Sequence, residues 1–186
     1  GVLTIFIEFS GRITHNMTGI YPSYYTYNGE KKEIISTQFE SHFAREAFPC
    51  VDEPEAKATF DLSLKFDAEE GDTALSNMPE INSHLREETG VWTFETTPRM
   101  STYLLAFGFG ALHGKTAKTK NGTEVGVFAT VAQAENSFDF ALDIAVRVIE
   151  FYEDYFQVKY PIPLSYHLAL PDFSAGAMEN WGLVTY

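Results

Sequence analysis

From Phe60 to Phe66 the chain alternates strictly, with Phe60, Leu62, Leu64 and Phe66 on one face and Asp61, Ser63, Lys65 between them. Successive side chains of a strand point to opposite faces, so this period of two predicts a half-buried strand. Leu3, Ile5, Ile7 and Phe9 repeat the pattern and predict another. Tyr24–Tyr27 and Lys31–Ile35 flank Asn28-Gly29, a hairpin signal, because a type I′ turn needs positive φ at both central residues. Trp92 and Phe94 belong to a strand bounded by Gly90 and Pro98. Tyr103–Phe109 is nearly all apolar, which predicts a central strand covered on both faces.

The pattern changes after Leu112. Gly114–Gly122 is polar and carries lysines, marking a boundary or a hairpin turn at Asn121-Gly122. Val125, Val127 and Ala129 then predict a strand. Asn136 or Ser137 can cap a helix that runs to about Phe156. Its stripe is Phe138, Ala141, Leu142, Ala145, Val148, Ile149 and Tyr152, and Tyr160-Pro161-Ile162-Pro163 stops it. Two short strands follow, Ser165–Leu170 and Leu183–Tyr186. Many short strands separated by turns predict a mainly β fold, an antiparallel β-sandwich over residues 1–112, joined to the first α/β portion of a second domain at 113–186. The strand-like first residues point to a true N-terminus further upstream.

Of 186 residues, 45% are hydrophobic and 21% charged, which is the balance of a globular chain. Thirteen basic against 26 acidic residues leave a net charge of -13, a surface that repels nucleic acid and anionic membranes and favours cationic ligands. The single cysteine, Cys50, excludes an internal disulfide and suits a reducing, cytoplasmic setting. No apolar stretch reaches membrane-spanning length. Sequons at Asn16 and Asn121 carry no weight without secretion.

Ser174 to Gly182 reads S-A-G-A-M-E-N-W-G, a loop opening onto a strand. Gly176 and Gly182 bracket one carboxylate, Glu179, so the backbone can approach whatever that carboxylate holds. A carboxylate on a sheet edge suits a cation, since charge-assisted hydrogen bonds are roughly twice as strong as neutral ones. On its residues alone the stretch also reads as a plain turn with one exposed Glu. Upstream, strand alternation puts Gln38 and Glu40 on one face, with Thr37 and Phe39 on the other.

G-A-M-E-N, here extended to F-S-A-G-A-M-E-N-W-G, resembles the exopeptidase signature of the aminopeptidase N family of zinc metallopeptidases, which includes puromycin-sensitive aminopeptidase and leukotriene hydrolase. Thr37–Phe60, P-R-M-S-T-Y-L-L-A-F at Pro98–Phe107, and G-I-Y-P-S-Y-Y at Gly19–Tyr25 match further blocks in the family's order. The resemblance implies a saddle-like β-domain followed by the start of a thermolysin-like catalytic domain. It implies a parent enzyme that removes N-terminal residues from peptides. Glu179 would bind the free α-amine, with Gln38 and Glu40 helping. Gly176, Ala177, Met178 and Asn180 would line the cleft with their backbone, the peptide lying alongside as an added strand, and the Met178 side chain would help wall the pocket for the first side chain.

Zinc in that family needs H-E-x-x-H on a helix, and none is present. His15, His42, His84, His113 and His167 have no ligand spacing, so the resemblance places the metal ligands after Tyr186, in the rest of the catalytic domain. The fragment by itself is expected to be inactive. The alternative is a peptide-binding or scaffold relative without metal chemistry. An epoxide-hydrolysing relative is disfavoured by Ala177, where that branch has glycine. Asp52-Glu53-Pro54-Glu55 reads as a structural turn, Cys50 as packed, and Gly108, Gly110 and Gly114 do not have dinucleotide-loop spacing.

Overall fold

The computed structural model describes residues 1–186. In chain order the elements are β1 (Gly19–Tyr27), β2 (Glu30–Gln38), β3 (Ser63–Lys65), β4 (Thr73–Ser76), β5 (Glu80–Ile81), α1 (Ser83–Thr89), β6 (Val91–Phe94), β7 (Phe107–Gly110), β8 (Leu112–Lys118), β9 (Glu124–Thr130), α2 (Asp139–Phe156), β10 (Leu164–Leu168) and β11 (Leu183–Thr185). Asn28 (φ 52°) and Gly29 (φ 82°) make the turn that their sequence signals, and β1 pairs with β2 from Gly19↔Gln38 to Tyr27↔Glu30.

Three sheets and a helix stack as four layers. The outer β-layer is β3-β6-β5 and the next is β1-β2-β7-β4, both antiparallel; the third, β11-β10-β9-β8, is mixed. There β10 runs parallel to both β9 and β11, while β8 is antiparallel to β9. Phe66 stacks on Phe109 (4.3 Å between ring centres) and on Trp92 (6.2 Å), closing the sandwich between the first two layers. On the opposite face, Ile34, Leu75 and Ala106 meet Leu112, Leu168 and Leu183 of the mixed sheet. β7 lies between β2 and β4 with both faces covered, as its apolar run predicts. Gly108 lets the layers close, because a Cβ there would stand 3.0 Å from Leu168 Cδ2. Helix α2 packs on the far side of the mixed sheet through Leu142, beside Phe138, Val127 and Ala129. Sheet membership changes between Gly110 and Leu112.

Four expectations need correction. Leu3–Phe9 forms no strand, and Val2, Leu3, Ile5, Phe6, Ile7 and Phe9 are all exposed. Alternation supplies an apolar face, but a strand also needs a neighbour for its N–H and C=O groups, and none lies beside it. The run Phe60–Phe66 is regular strand only at Ser63–Lys65; Phe60 and Leu62 join the sheet through Thr97 N–H to Phe60 O and Phe94 N–H to Leu62 O, each 3.0 Å, and Phe60 N–H donates to Thr97 Oγ1 (2.9 Å). Thr102–Leu104 is a tight helical turn rather than the first half of a strand. Neither Asn136 nor Ser137 caps α2: both lie in a tighter turn, Glu135–Phe138, and the Ser137 hydroxyl donates to Ala134 O (2.6 Å). The stripe of α2 is therefore only partly used, with Val148 42% and Tyr152 51% exposed.

Asn77, directly after β4, ties the layers together. Its Nδ2 donates to the carbonyls of Leu104 (2.8 Å) and Trp181 (2.6 Å), and its Oδ1 accepts from Ala106 N–H (2.9 Å). Gly182, at φ 75°, passes so close that a Cβ would lie 1.9 Å from Asn77 O. Asn77→Ala leaves buried backbone groups unpaired and should cost about 3 kcal/mol or more in urea unfolding. Gly182→Ala should fail comparably, through both the clash and the left-handed backbone.

Glu153, nearly buried on α2, accepts from Tyr160 N–H and Asn121 Nδ2, both at 2.8 Å, fastening the helix end to the β8–β9 turn. The Tyr160 N–H and then the Asn121 amide hold its carboxyl below the usual carboxylate range. A depressed folded pKa contributes stability that is present above the unfolded value, about 4.3, and is lost as pH falls through the folded value. Glu153→Gln should thus destabilise the chain at pH 7, and the gap from wild type should shrink below about pH 4, checked by urea unfolding at both pH values.

Candidate functional site

The G-A-M-E-N loop leaves β10 and returns as β11, fixed at three points. At its start Asp172 bonds to β1: its Oδ2 accepts from Tyr24 N–H (2.8 Å), and its carbonyl accepts from the hydroxyls of Tyr21 (3.0 Å) and Ser23 (3.2 Å). In the middle Met178 pairs with Thr185, donating at 2.9 Å and accepting at 3.1 Å. At its end Trp181 O accepts from Asn77. Ser174–Ala177 and Glu179 are exposed, and Glu179 takes part in no ion pair.

Because Met178 turns both its backbone groups toward Thr185, strand alternation turns those of Ala177 and Glu179 the other way. Neither residue makes a backbone hydrogen bond. The loop therefore lies outside β11, the edge strand of the mixed sheet, and presents an open edge to solvent. Gly176, also exposed, begins that edge.

Gln38 ends β2. Thr37 beside it is spent on β7, accepting from Phe107 N–H (3.0 Å), and Phe39 points into the core at 0% exposure. Gln38 is 6% exposed, yet its Oε1 is buried without a partner; β2 stops there, so Glu40 is not on the same strand face as expected but lies exposed in the following turn, joined to Ser41 through a cis peptide. Phe39 and Met178 belong to one buried cluster with Ala44, Met100, Leu104, Leu105 and Phe107. The β2 end and the G-A-M-E-N loop thus share one piece of core.

One expected role is corrected. Met178 is 0% exposed and fills core instead of walling a pocket. Asn180 is 2% exposed, and its Nδ2 is spent on Leu183 O (3.1 Å) and Thr185 Oγ1 (3.3 Å), so its side chain shapes the turn. Asn77 and Asp172, which position the loop, carry no sequence signal of that role: a buried asparagine and a P-D-F turn acquire it only from what folds against them.

Other candidates fall away. A cavity of about 640 Å³, lined by residues that include Tyr25, Lys32, Phe66 and Asp72, touches none of Gln38, Glu40 or Gly176–Asn180. Burial, then the Asp52 charge, pushes the Cys50 thiol up, which makes it a poor nucleophile. Asp52, 8% exposed, accepts from Arg45 N–H and Nε at 3.1 Å, the structural turn its sequence suggests. His167, its pKa lowered by burial, meets the Tyr186 hydroxyl (2.8 Å) on the mixed sheet. No group of three or more His, Cys, Asp or Glu side chains is placed to hold a metal ion.

Comparison with known proteins agrees with this layout. Residues 1–104 match the Peptidase M1 N-terminal domain and residues 140–186 the Peptidase family M1 domain. The chain is 99% identical over 187 aligned positions to aminopeptidase N of Lactococcus lactis subsp. lactis, covering 100% of this chain and 22% of that protein. It is 46% identical to puromycin-sensitive aminopeptidase of Caenorhabditis elegans, over 96% of this chain and 19% of that protein. With endoplasmic reticulum aminopeptidase 1 of Rattus norvegicus identity is 44%, over 100% of this chain and 20% of that protein. The chain spans about a fifth of the length of these relatives. A β-sandwich locked to a mixed sheet, with G-A-M-E-N on that sheet's edge, and matches across both blocks lead to one conclusion: the chain belongs to the peptidase M1 family.

Proposed function

We propose that the parent protein is a zinc aminopeptidase that removes residues one at a time from the free N-terminus of peptides, and that this chain recognises the substrate's α-amine. One observation carries the proposal. An exposed carboxylate, Glu179, sits on an open strand edge whose loop shares its core with Phe39, between Gln38 at the end of β2 and Glu40 in the turn that follows. The Gln38 Oε1, buried without a partner, is an acceptor awaiting a donor, and a substrate ammonium has three N–H donors to offer. Two carboxylates and one amide oxygen suit one cation. An internal peptide bond has no such charge, so binding favours chain ends over chain interiors.

The open backbone groups of Ala177 and Glu179 complement this by pairing with an extended peptide as an added strand. The amine fixed at one end and the backbone along the edge hold the first scissile carbonyl at a set distance from Glu179, which is positioning rather than bond chemistry. Zinc, when bound, polarises the carbonyl and activates water in such enzymes. The residues of this chain offer no site for it, so in this proposal its ligands come from other parts of the parent protein, and no step involving them is assigned here. The chain's acid excess adds a field that draws cationic N-termini toward the cleft.

No helix is long and apolar enough to cross a membrane. The proposed setting is the cytoplasm, on the ground of one partly buried cysteine and no disulfide.

In the full-length protein, Glu179→Ala should lower kcat/KM for leucyl p-nitroanilide by about 30- to 1000-fold, that is about 2–4 kcal/mol of transition-state binding. A change of less than about threefold would remove the amine-anchoring role.

A further inference from the structure

Every hydrogen bond made by residues 171–177 passes through Asp172. The next bonds on either side are those of Leu170, whose N–H donates to Tyr186 O at 2.9 Å, and of Met178. All three donors to Asp172 lie on β1: the Tyr21 hydroxyl, the Ser23 hydroxyl and the Tyr24 N–H. Tyr21 and Ser23 are both 0% exposed. Burial also raises the Tyr21 pKa, so its hydroxyl remains a donor at neutral pH.

The Met178–Thr185 bridge is one residue long. Such a bridge is a pivot: it fixes where the chain passes but leaves its direction to whatever holds the segment on each side. After the pivot stands the Asn77–Trp181 bond, and before it stands Asp172. The strand that holds Asp172 is registered along its whole length to β2, with Ser23 opposite Ile34, Tyr24 opposite Glu33 and Gly19 opposite Gln38. Asp172 is thereby linked to the strand that ends in Gln38.

We infer that Asp172 is a positioning residue, which aims the Gly176–Glu179 edge by fastening the loop's entry to β1. The inference rests on the amine-anchoring role proposed for Glu179. Asp172 touches no substrate; it acts through the direction of the backbone that carries Glu179. A displacement of about 1 Å is enough to matter, because misplacing a binding group by that much can cost up to about a hundredfold in rate.

The test is a double-mutant cycle in the full-length protein, reading kcat/KM for leucyl p-nitroanilide. Asp172→Ala should lower it about tenfold when Glu179 is present and by less than about twofold in a Glu179→Ala background. Asp172→Asn keeps an acceptor for Tyr24 N–H and should retain most of the activity. Equal losses in both backgrounds would show a general structural role and overturn the inference, as would no loss in the presence of Glu179. If Glu179→Ala alone changes kcat/KM by less than about threefold, the amine-anchoring role fails instead, and the two failures are told apart. Should Asp172→Ala not fold, Tyr21→Phe removes one donor to the Asp172 carbonyl and keeps the buried ring. It should show the same dependence on Glu179 with a smaller loss, and its absence would count against the inference.

Discussion

A binding carboxylate is useful only where the backbone beneath it is held still, and here that support comes from a different sheet. Asn77 satisfies two carbonyls and one N–H with a single buried side chain, and one of those carbonyls, Trp181 O, belongs to the G-A-M-E-N loop. Leaving such groups unpaired in the interior costs far more than the net gain from an average hydrogen bond. The loop is therefore seated against the sandwich, with Gly182 the residue small enough to make that approach. Met178 adds apolar burial at the same seam, since it shares a core with Phe39.

This seam explains how two folding units can serve one ligand. The β2 end brings an amide and a carboxylate, and the mixed sheet brings a second carboxylate on an open edge. In the proposed function they present acceptors to one ammonium, and the cluster shared by Phe39 and Met178 holds the segments that carry them. The apolar residues needed for rigidity and the polar ones proposed for recognition alternate along the same two segments, Gln38-Phe39-Glu40 and Ala177-Met178-Glu179.

The same alternation governs what could be read from the chain. The Asn28-Gly29 turn, the doubly covered run around Phe107–Phe109 and the helix ending at Phe156 follow from local signals that their surroundings reinforce. Leu3–Phe9 has an equally clear pattern but no partner strand, because pairing is a property of neighbours and not of the segment. Met178 shows the limit for the site: a thioether suits either a pocket wall or a core, and only the position of Phe39 decides. Glu179 and Glu40 are legible because an exposed carboxylate needs only the motif around it, whereas Asn77 and Asp172 are invisible until distant backbone arrives beside them.

The most direct measurement is a structure of the full-length protein with free leucine bound. The leucine α-amine should lie within about 2.7–3.2 Å of acceptor atoms on Glu179, Glu40 and Gln38 at once. An amine held elsewhere, with Glu179 and Glu40 facing separate regions of solvent, would contradict it.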